Sequence, residues 1–220
     1  MTRETALRLK RVVDVVGAGA GLVLLSPLIA AAAAAVWATL GRPVFFRQER
    51  PGYGGRLFTV CKLRTMRPAG ADEVFFRTDG ARLTRVGRFL RRTSIDELPE
   101  LWAVVRGDMS LVGPRPLLSE YLSRYSADEM RRHDMRPGLT GWAQVNGRQR
   151  LPFSERIAYD VWYVDNFSLG LDARILARTV LEVLGGTGVV PGQTLDDIDD
   201  LGLAPDAGSR REEAGGVRGR

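Results

Sequence analysis

A chain of 220 residues, 45% hydrophobic and 26% charged, is long enough for one sizeable domain and too apolar to be intrinsically disordered. Its 32 Lys plus Arg against 26 Asp plus Glu leave a net charge of +6, which points to an anionic partner: lipid headgroups, nucleotide phosphates or nucleic acid. Cys61 is the single cysteine, so an intramolecular disulfide is excluded, and its place in the run Phe58-Thr59-Val60-Cys61 reads as a small buried apolar residue.

Residues 1–42 read as a membrane-associated segment. No charged residue occurs from Val15 to Leu40, and about 20 apolar residues suffice for a spanning helix. Ser26-Pro27 interrupts the run, and proline removes a helix hydrogen bond and clashes with the preceding turn. Each arm is then roughly 12–14 residues, or about 20 Å, short of a hydrocarbon core about 30 Å thick. Both flanks are basic, with Arg3, Arg8, Lys10 and Arg11 before the run and Arg42, Arg47 and Arg50 after it, so both carry the cytoplasmic signature. A helix-break-helix that enters the bilayer and returns to the same face satisfies these facts, with Ser26 bonding a carbonyl that the proline frees. A kinked single span is the alternative.

Residues 43–185 read as the folded domain, which the resemblance given below makes the catalytic one. Val44-Phe45-Phe46 and Leu57-Phe58-Thr59-Val60 form a predicted hairpin around the turn-rich Arg50-Pro51-Gly52-Tyr53-Gly54-Gly55. Helices are predicted over 93–105, 127–133, 153–163 and 172–184. In the last of these Arg174, Arg178 and Glu182 mark one face and Ile175, Thr179, Val180, Val183 and Leu184 the other. Residues 186–220, rich in glycine, proline and charge, are expected to be a flexible tail. The fold class is therefore α+β: a membrane helix, re-entrant or a kinked span, then a mostly helical domain with a small β-hairpin, the re-entrant and cytoplasmic form being the one that the family resemblance described below implies.

The densest polar constellation runs from Arg82 to Arg115. Ser94 and Glu97 have the spacing of a capping box, and Pro99 suits the first turns of the helix it would begin. A helix N-terminus also attracts phosphate and keeps a carboxylate ionised. Adjacent carboxylates at Asp96 and Glu97, among Arg85, Arg88, Arg91 and Arg92, suit metal-assisted phosphoryl chemistry in which one attacks phosphorus and the other holds a divalent cation. Arg115, Arg136 and Arg148 stand in glycine- and proline-marked turns, where a guanidinium can take phosphate in a bidentate grip.

The run Arg82-Leu83-Thr84-Arg85-Val86-Gly87-Arg88-Phe89-Leu90-Arg91-Arg92-Thr93-Ser94-Ile95-Asp96-Glu97-Leu98-Pro99 resembles the signature of the bacterial sugar transferases, the monotopic polyprenyl-phosphate phosphoglycosyl transferases. So do Gly107-Asp108-Met109-Ser110-Leu111-Val112-Gly113-Pro114-Arg115-Pro116, Pro43-Val44-Phe45-Phe46-Arg47-Gln48-Glu49-Arg50, Lys62-Leu63-Arg64-Thr65-Met66 and Arg136-Pro137-Gly138-Leu139-Thr140-Gly141-Trp142-Ala143-Gln144-Val145-Asn146-Gly147-Arg148. The likeness covers roughly Lys10 to Leu184 and is of the compact form of that family. It implies that Asp96 is the nucleophile on the β-phosphate of a UDP-sugar, releasing UMP, and that a covalent phosphosugar passes to polyprenyl (undecaprenyl) phosphate. It further implies Mg²⁺ on Glu97, substrate contacts from Lys62, Arg64, Arg91, Arg115 and Arg148, and a re-entrant break at Ser26 and Pro27. The expected setting is the bacterial inner membrane with the site facing the cytoplasm, at the first membrane step of glycoconjugate or exopolysaccharide synthesis.

Leu63, Ala103 and the loop Thr78-Asp79-Gly80-Ala81 depart from the family's usual pattern, which bears on the choice of sugar: a 2-acetamido sugar, galactose or glucose. A catalytically inactive membrane scaffold of the same fold is the alternative. Nucleic-acid binding lacks a motif, and the acidic run Asp196-Asp197-Ile198-Asp199-Asp200 reads as solvated.

Overall fold

The structure, a computed structural model, describes residues 2–68, 82–147, 151–185 and 200–201. Helix α1 (Arg3–Leu40) starts where the Thr2 side chain accepts from Thr5 N, and stops at Gly41, whose φ of 67° suits glycine. The helix assignment continues through Pro27, so the two arms expected from Ser26-Pro27 form one element of 38 residues. The missing proline N–H frees the carbonyl of Val23, four residues back, and Ser26 Oγ donates to that carbonyl at 2.8 Å. The local repair is therefore the one expected from the sequence.

Only one stripe of α1 is buried, through Ala6, Lys10, Asp14 and Ala18 in its first half and Ala32 and Val36 in its second. Around the proline Val23 and Leu24 are 74% and 77% exposed. Both halves nonetheless pack on one body. Ala18 joins Leu101, Val104 and Met109, and Val36 joins Leu63 and Leu90. The first turns are also pinned by polar bonds. Lys10 Nζ meets Asp172 at 2.6 Å, Asp172 accepts from the Tyr163 hydroxyl at 2.7 Å, and Asp14 accepts from Leu111 N at 2.9 Å.

Strands β1 (Phe45–Pro51) and β2 (Leu57–Leu63) form the expected antiparallel hairpin, registered Phe45 to Leu63 and Pro51 to Leu57. Helix α2 (Arg85–Arg92) follows, capped by Thr84, and was not foreseen as a helix. A Cβ on Gly87 would lie 1.9 Å from the Thr65 carbonyl oxygen, so glycine lets α2 lie against the end of β2. The predicted helix over 93–105 divides into a 3-10 turn, Ile95–Glu100, and a short α3, Leu101–Arg106.

Strands β3 (Ser110–Val112) and β4 (Gly138–Thr140) pair in parallel, a second sheet that the sequence did not announce. Between them lie α4 (Ala127–Met130) and two 3-10 turns, Ser119–Arg124 and Arg131–Asp134. Helices α5 (Trp142–Asn146), α6 (Phe153–Asp165) and α7 (Leu169–Gly185) complete the domain. Tyr163, Val164, Leu171 and Ile175 pack there with Val112 and Met135. On α7 Ile175 is buried as expected, but Val180 is 57% exposed, because the domain covers only the first half of that apolar face. Most of the acidic run lies outside the described residues; Asp200 accepts from Ser154 N at 3.1 Å, at the start of α6.

Candidate active site

The site is assembled on the 3-10 turn Ile95–Glu100. Ser94, just before it, sits at φ 55°, ψ 18°, a left-handed conformation costing a non-glycine residue about 1–2 kcal/mol. Its side chain makes no cap, so the capping box inferred from Ser94 and Glu97 does not form. The Glu97 carboxylate is taken instead by cations from distant segments. Lys62 on β2 donates to its Oε1 at 2.7 Å, and Arg115, just after β3, donates to the same oxygen at 2.5 Å.

In a 3-10 turn residues three apart eclipse. Glu97 and Glu100 therefore share a face, and Lys62 Nζ is also 3.0 Å from Glu100 Oε1. Glu100 is only 3% exposed and lies beneath the cluster as a residue the motif reading missed. Its signal was a third carboxylate, three positions after Glu97. Asp96, one step round the turn, is buried at 7% exposure. No other side chain among the described residues gives it a hydrogen bond or ion pair.

The electrostatics separate these carboxyls. Burial, reinforced by the Glu97 charge, pushes Asp96 up to about 6 against the pull of Lys62 and Arg91. Burial also acts to raise Glu97, but Arg115 and Lys62 outweigh it and hold Glu97 well below the usual carboxylate range. Glu100 is raised, chiefly by burial, with Lys62 opposing. Glu97 is thus a fixed anion, and Asp96 a carboxylate that is ionised at neutral pH and poorly solvated. Such a group suits attack on an electrophile.

Of the five expected substrate cations, the structure brings Lys62 and Arg115 onto Glu97. Arg91, on α2, donates to Thr65 Oγ1 at 3.0 Å and lies near enough to draw Asp96 down. Arg64 turns away to the end of α1, where it donates to the carbonyls of Leu40 and Gly41, so its expected phosphate contact rests on the resemblance alone. Arg148 lies outside the described residues.

Two further features hold Arg115 in place. A Cβ on Gly113 would lie 2.3 Å from the Arg136 carbonyl oxygen, so glycine lets the loop Gly113-Pro114-Arg115 lie against the segment before β4. Arg132, paired with Asp160 at 2.5 Å where both side chains are nearly inaccessible, donates to the main-chain carbonyl of Arg115 at 2.7 Å.

Among the described residues no group of three His, Cys, Asp or Glu forms a ready cage for a metal. Mg²⁺ asks for less: one or two carboxylates, with phosphate and water completing the shell. Glu97 meets that requirement, since both cations share Oε1 and Oε2 has no partner among the described residues.

Carboxylates of opposed pKa are ringed by arginine and lysine, groups able to take phosphate, and they lie on the same body as a helix long and apolar enough to cross a membrane. Comparisons with known proteins identify the family. A profile of the family described as bacterial sugar transferase matches residues 5–186. An uncharacterized sugar transferase, EpsL of Bacillus subtilis, is 47% identical over 82% of this chain and 90% of its own length. A UDP-glucose:undecaprenyl-phosphate glucose-1-phosphate transferase of Caulobacter vibrioides is 45% identical over 80% of this chain and 69% of its own. The exopolysaccharide production protein ExoY of Rhizobium meliloti is 38% identical over 78% and 83%. The chain belongs to the bacterial sugar transferase family and is a transferase.

Proposed function

We propose that the chain moves a sugar 1-phosphate from a UDP-sugar to polyprenyl phosphate, releasing UMP, through a covalent phosphosugar on Asp96. The carrying observation is the division of charge on the turn Ile95–Glu100: Asp96 is raised to about 6 and has no ion pair among the described residues, while its neighbour Glu97 is clamped by Lys62 and Arg115. The named activity of the Caulobacter relative supplies the donor and acceptor classes.

In the first half-reaction an Asp96 carboxylate oxygen attacks the β-phosphorus, and the bond from that phosphorus to the bridging oxygen of UMP breaks. In the second, an oxygen of the acceptor phosphate attacks the same phosphorus and Asp96 leaves as carboxylate. Splitting the transfer lets a soluble donor and a lipid acceptor use one site in turn. Arg91, Lys62 and Arg115 orient the diphosphate and offset charge developing on the leaving UMP. Bound at Glu97, Mg²⁺ would supply further neutralisation of the donor diphosphate.

We read α1 as re-entrant, with the site at the cytoplasmic face. Support comes from its contacts. Lys10 near one end, and Ala32 and Val36 towards the other, touch the same domain, while Val23 and Leu24, close to Pro27, are the most exposed large apolar residues of the helix. A span perpendicular to the bilayer would carry one end about 57 Å from the other, away from a domain on one face.

The test is UMP release by the detergent-solubilised full chain with undecaprenyl phosphate, Mg²⁺ and a panel of UDP-sugars, alongside Asp96→Asn. Release with one sugar, dependent on lipid and lost in the variant, is expected, with a phosphosugar adduct on Asp96 by mass spectrometry. A folded protein giving neither UMP nor adduct with any donor would return the chain to the scaffold reading.

A further inference from the structure

We propose that the outer face of α2 binds the headgroups of anionic phospholipids, so that the enzyme selects its lipid surroundings by charge. This rests on the membrane reading of α1 above, and its test does not depend on the proposed reaction.

At about 100° per residue, Val86 and Leu90 fall on one side of α2, and Arg88, Arg92, Arg85 and Phe89 fall together on the other, within an arc of about 100°. The structure holds the helix in this rotation. Val86 and Leu90 pack with Ala32 and Val36 of α1, and Gly87 lies against the Thr65 carbonyl. The outer residues are all exposed, with Phe89 at 60%, and none of the three arginines makes an ion pair or side-chain hydrogen bond among the described residues. Arg91 is set apart, turned to Thr65 and the catalytic turn.

The height of this face follows from what lies behind it. Its inner side rests on the uncharged second arm of α1, which no bulk water solvates once that arm is in lipid. Three guanidinium groups on the same short helix, without an ion pair among the described residues, cannot follow it into hydrocarbon and must stop at the headgroup layer. Exposed aromatics mark the same level: Trp37 at the end of α1, 59% exposed, and Phe45 and Phe46 at the start of β1. Aromatic residues favour this boundary, and an arginine row around a phenylalanine has the composition of an interfacial helix. Headgroup phosphate is what such a row can reach. Net negative lipids are favoured over zwitterionic ones because the three positive charges have no carboxylate partner among the described residues.

The experiment uses the full chain in nanodiscs holding equal parts of phosphatidylglycerol and phosphatidylcholine, released gently, with co-bound lipids counted by native mass spectrometry. A charge near such a surface is worth roughly five-fold in affinity. The wild type is therefore expected to retain phosphatidylglycerol about ten-fold or more over phosphatidylcholine at low salt, and to lose most of this preference at about 1 M salt, where screening is within about 3 Å. The triple variant Arg85→Gln, Arg88→Gln, Arg92→Gln is expected to hold both lipids equally, with its thermal midpoint and UMP release in detergent unchanged. The corresponding triple lysine variant is expected to keep the preference.

Equal retention by the wild type overturns the proposal, as does a glutamine variant that still prefers phosphatidylglycerol. Loss of UMP release by the glutamine variant in lipid-free detergent also overturns it, because the row would then serve the acceptor phosphate. A wild type with the lipid preference but no UMP release upholds the headgroup site and overturns the proposed reaction instead.

Discussion

Asp96→Asn is expected to abolish the reaction and, at neutral pH, to make the protein more stable. Burial and the Glu97 charge raise the Asp96 carboxyl from 3.8 to about 6, so the fold disfavours its ionised form. A difference of about two units corresponds to roughly 3 kcal/mol. The sign follows from the direction of the shift. Below pH 3.8 the group is protonated in both folded and unfolded chains and costs nothing; the penalty grows as pH rises to about 6 and is complete above it. Asparagine cannot ionise, so it removes the whole penalty at pH 7.5 and nothing at pH 3.5.

For a chain of this size that is about 6–12 °C in thermal midpoint, measured in detergent and metal-free buffer. Equal midpoints at pH 7.5, or a gain that persists at pH 3.5, would refute the reasoning. In the proposed reaction the same ionisation governs attack. Phosphosugar adduct formation by the wild type should fall about ten-fold between pH 7 and pH 5, followed by mass spectrometry in single turnover.

Arg132→Met strands the Asp160 charge where both side chains are nearly inaccessible, and is expected to cost roughly 3–5 kcal/mol in denaturant titration. The double change with Asp160→Leu should recover most of that loss. Gly87→Ala places a Cβ 1.9 Å from the Thr65 carbonyl oxygen and should lower the midpoint sharply, whereas Gly170→Ala, with nothing within 4 Å, should leave it level or raise it slightly. Glu100→Gln removes one of the two carboxylates that hold Lys62, so Glu100 acts as a positioning residue. Its expected signature is an adduct rate lowered on the order of ten-fold with little change in donor KM, a split that a general loss of folded protein would not produce.

Much of this molecule is legible in its sequence because the signals are local. The uncharged run of α1, the β-prone segments flanking Arg50–Gly55 and the 3.6-residue pattern of α7 each depend on neighbours a few positions away. The adjacency of Asp96 and Glu97, and the arginines around them, were equally plain as a motif. Helix α2 escaped notice because its four arginines suggested a phosphate cluster rather than an amphipathic helix whose apolar side is only Val86 and Leu90. Strands β3 and β4, three residues each, are too short for alternation to register.

Tertiary structure alone decided what each carboxylate does. Ser94 and Glu97 have capping-box spacing, yet Glu97 is claimed by Lys62 from 35 residues away and Arg115 from 18. Charge pairs at such separations depend on β2 and the loop after β3 meeting at one turn, and no local pattern encodes that meeting. Burial completed the division: Asp96 and Glu97 are neighbours of the same chemical type, and only desolvation of one and double pairing of the other set their protons apart.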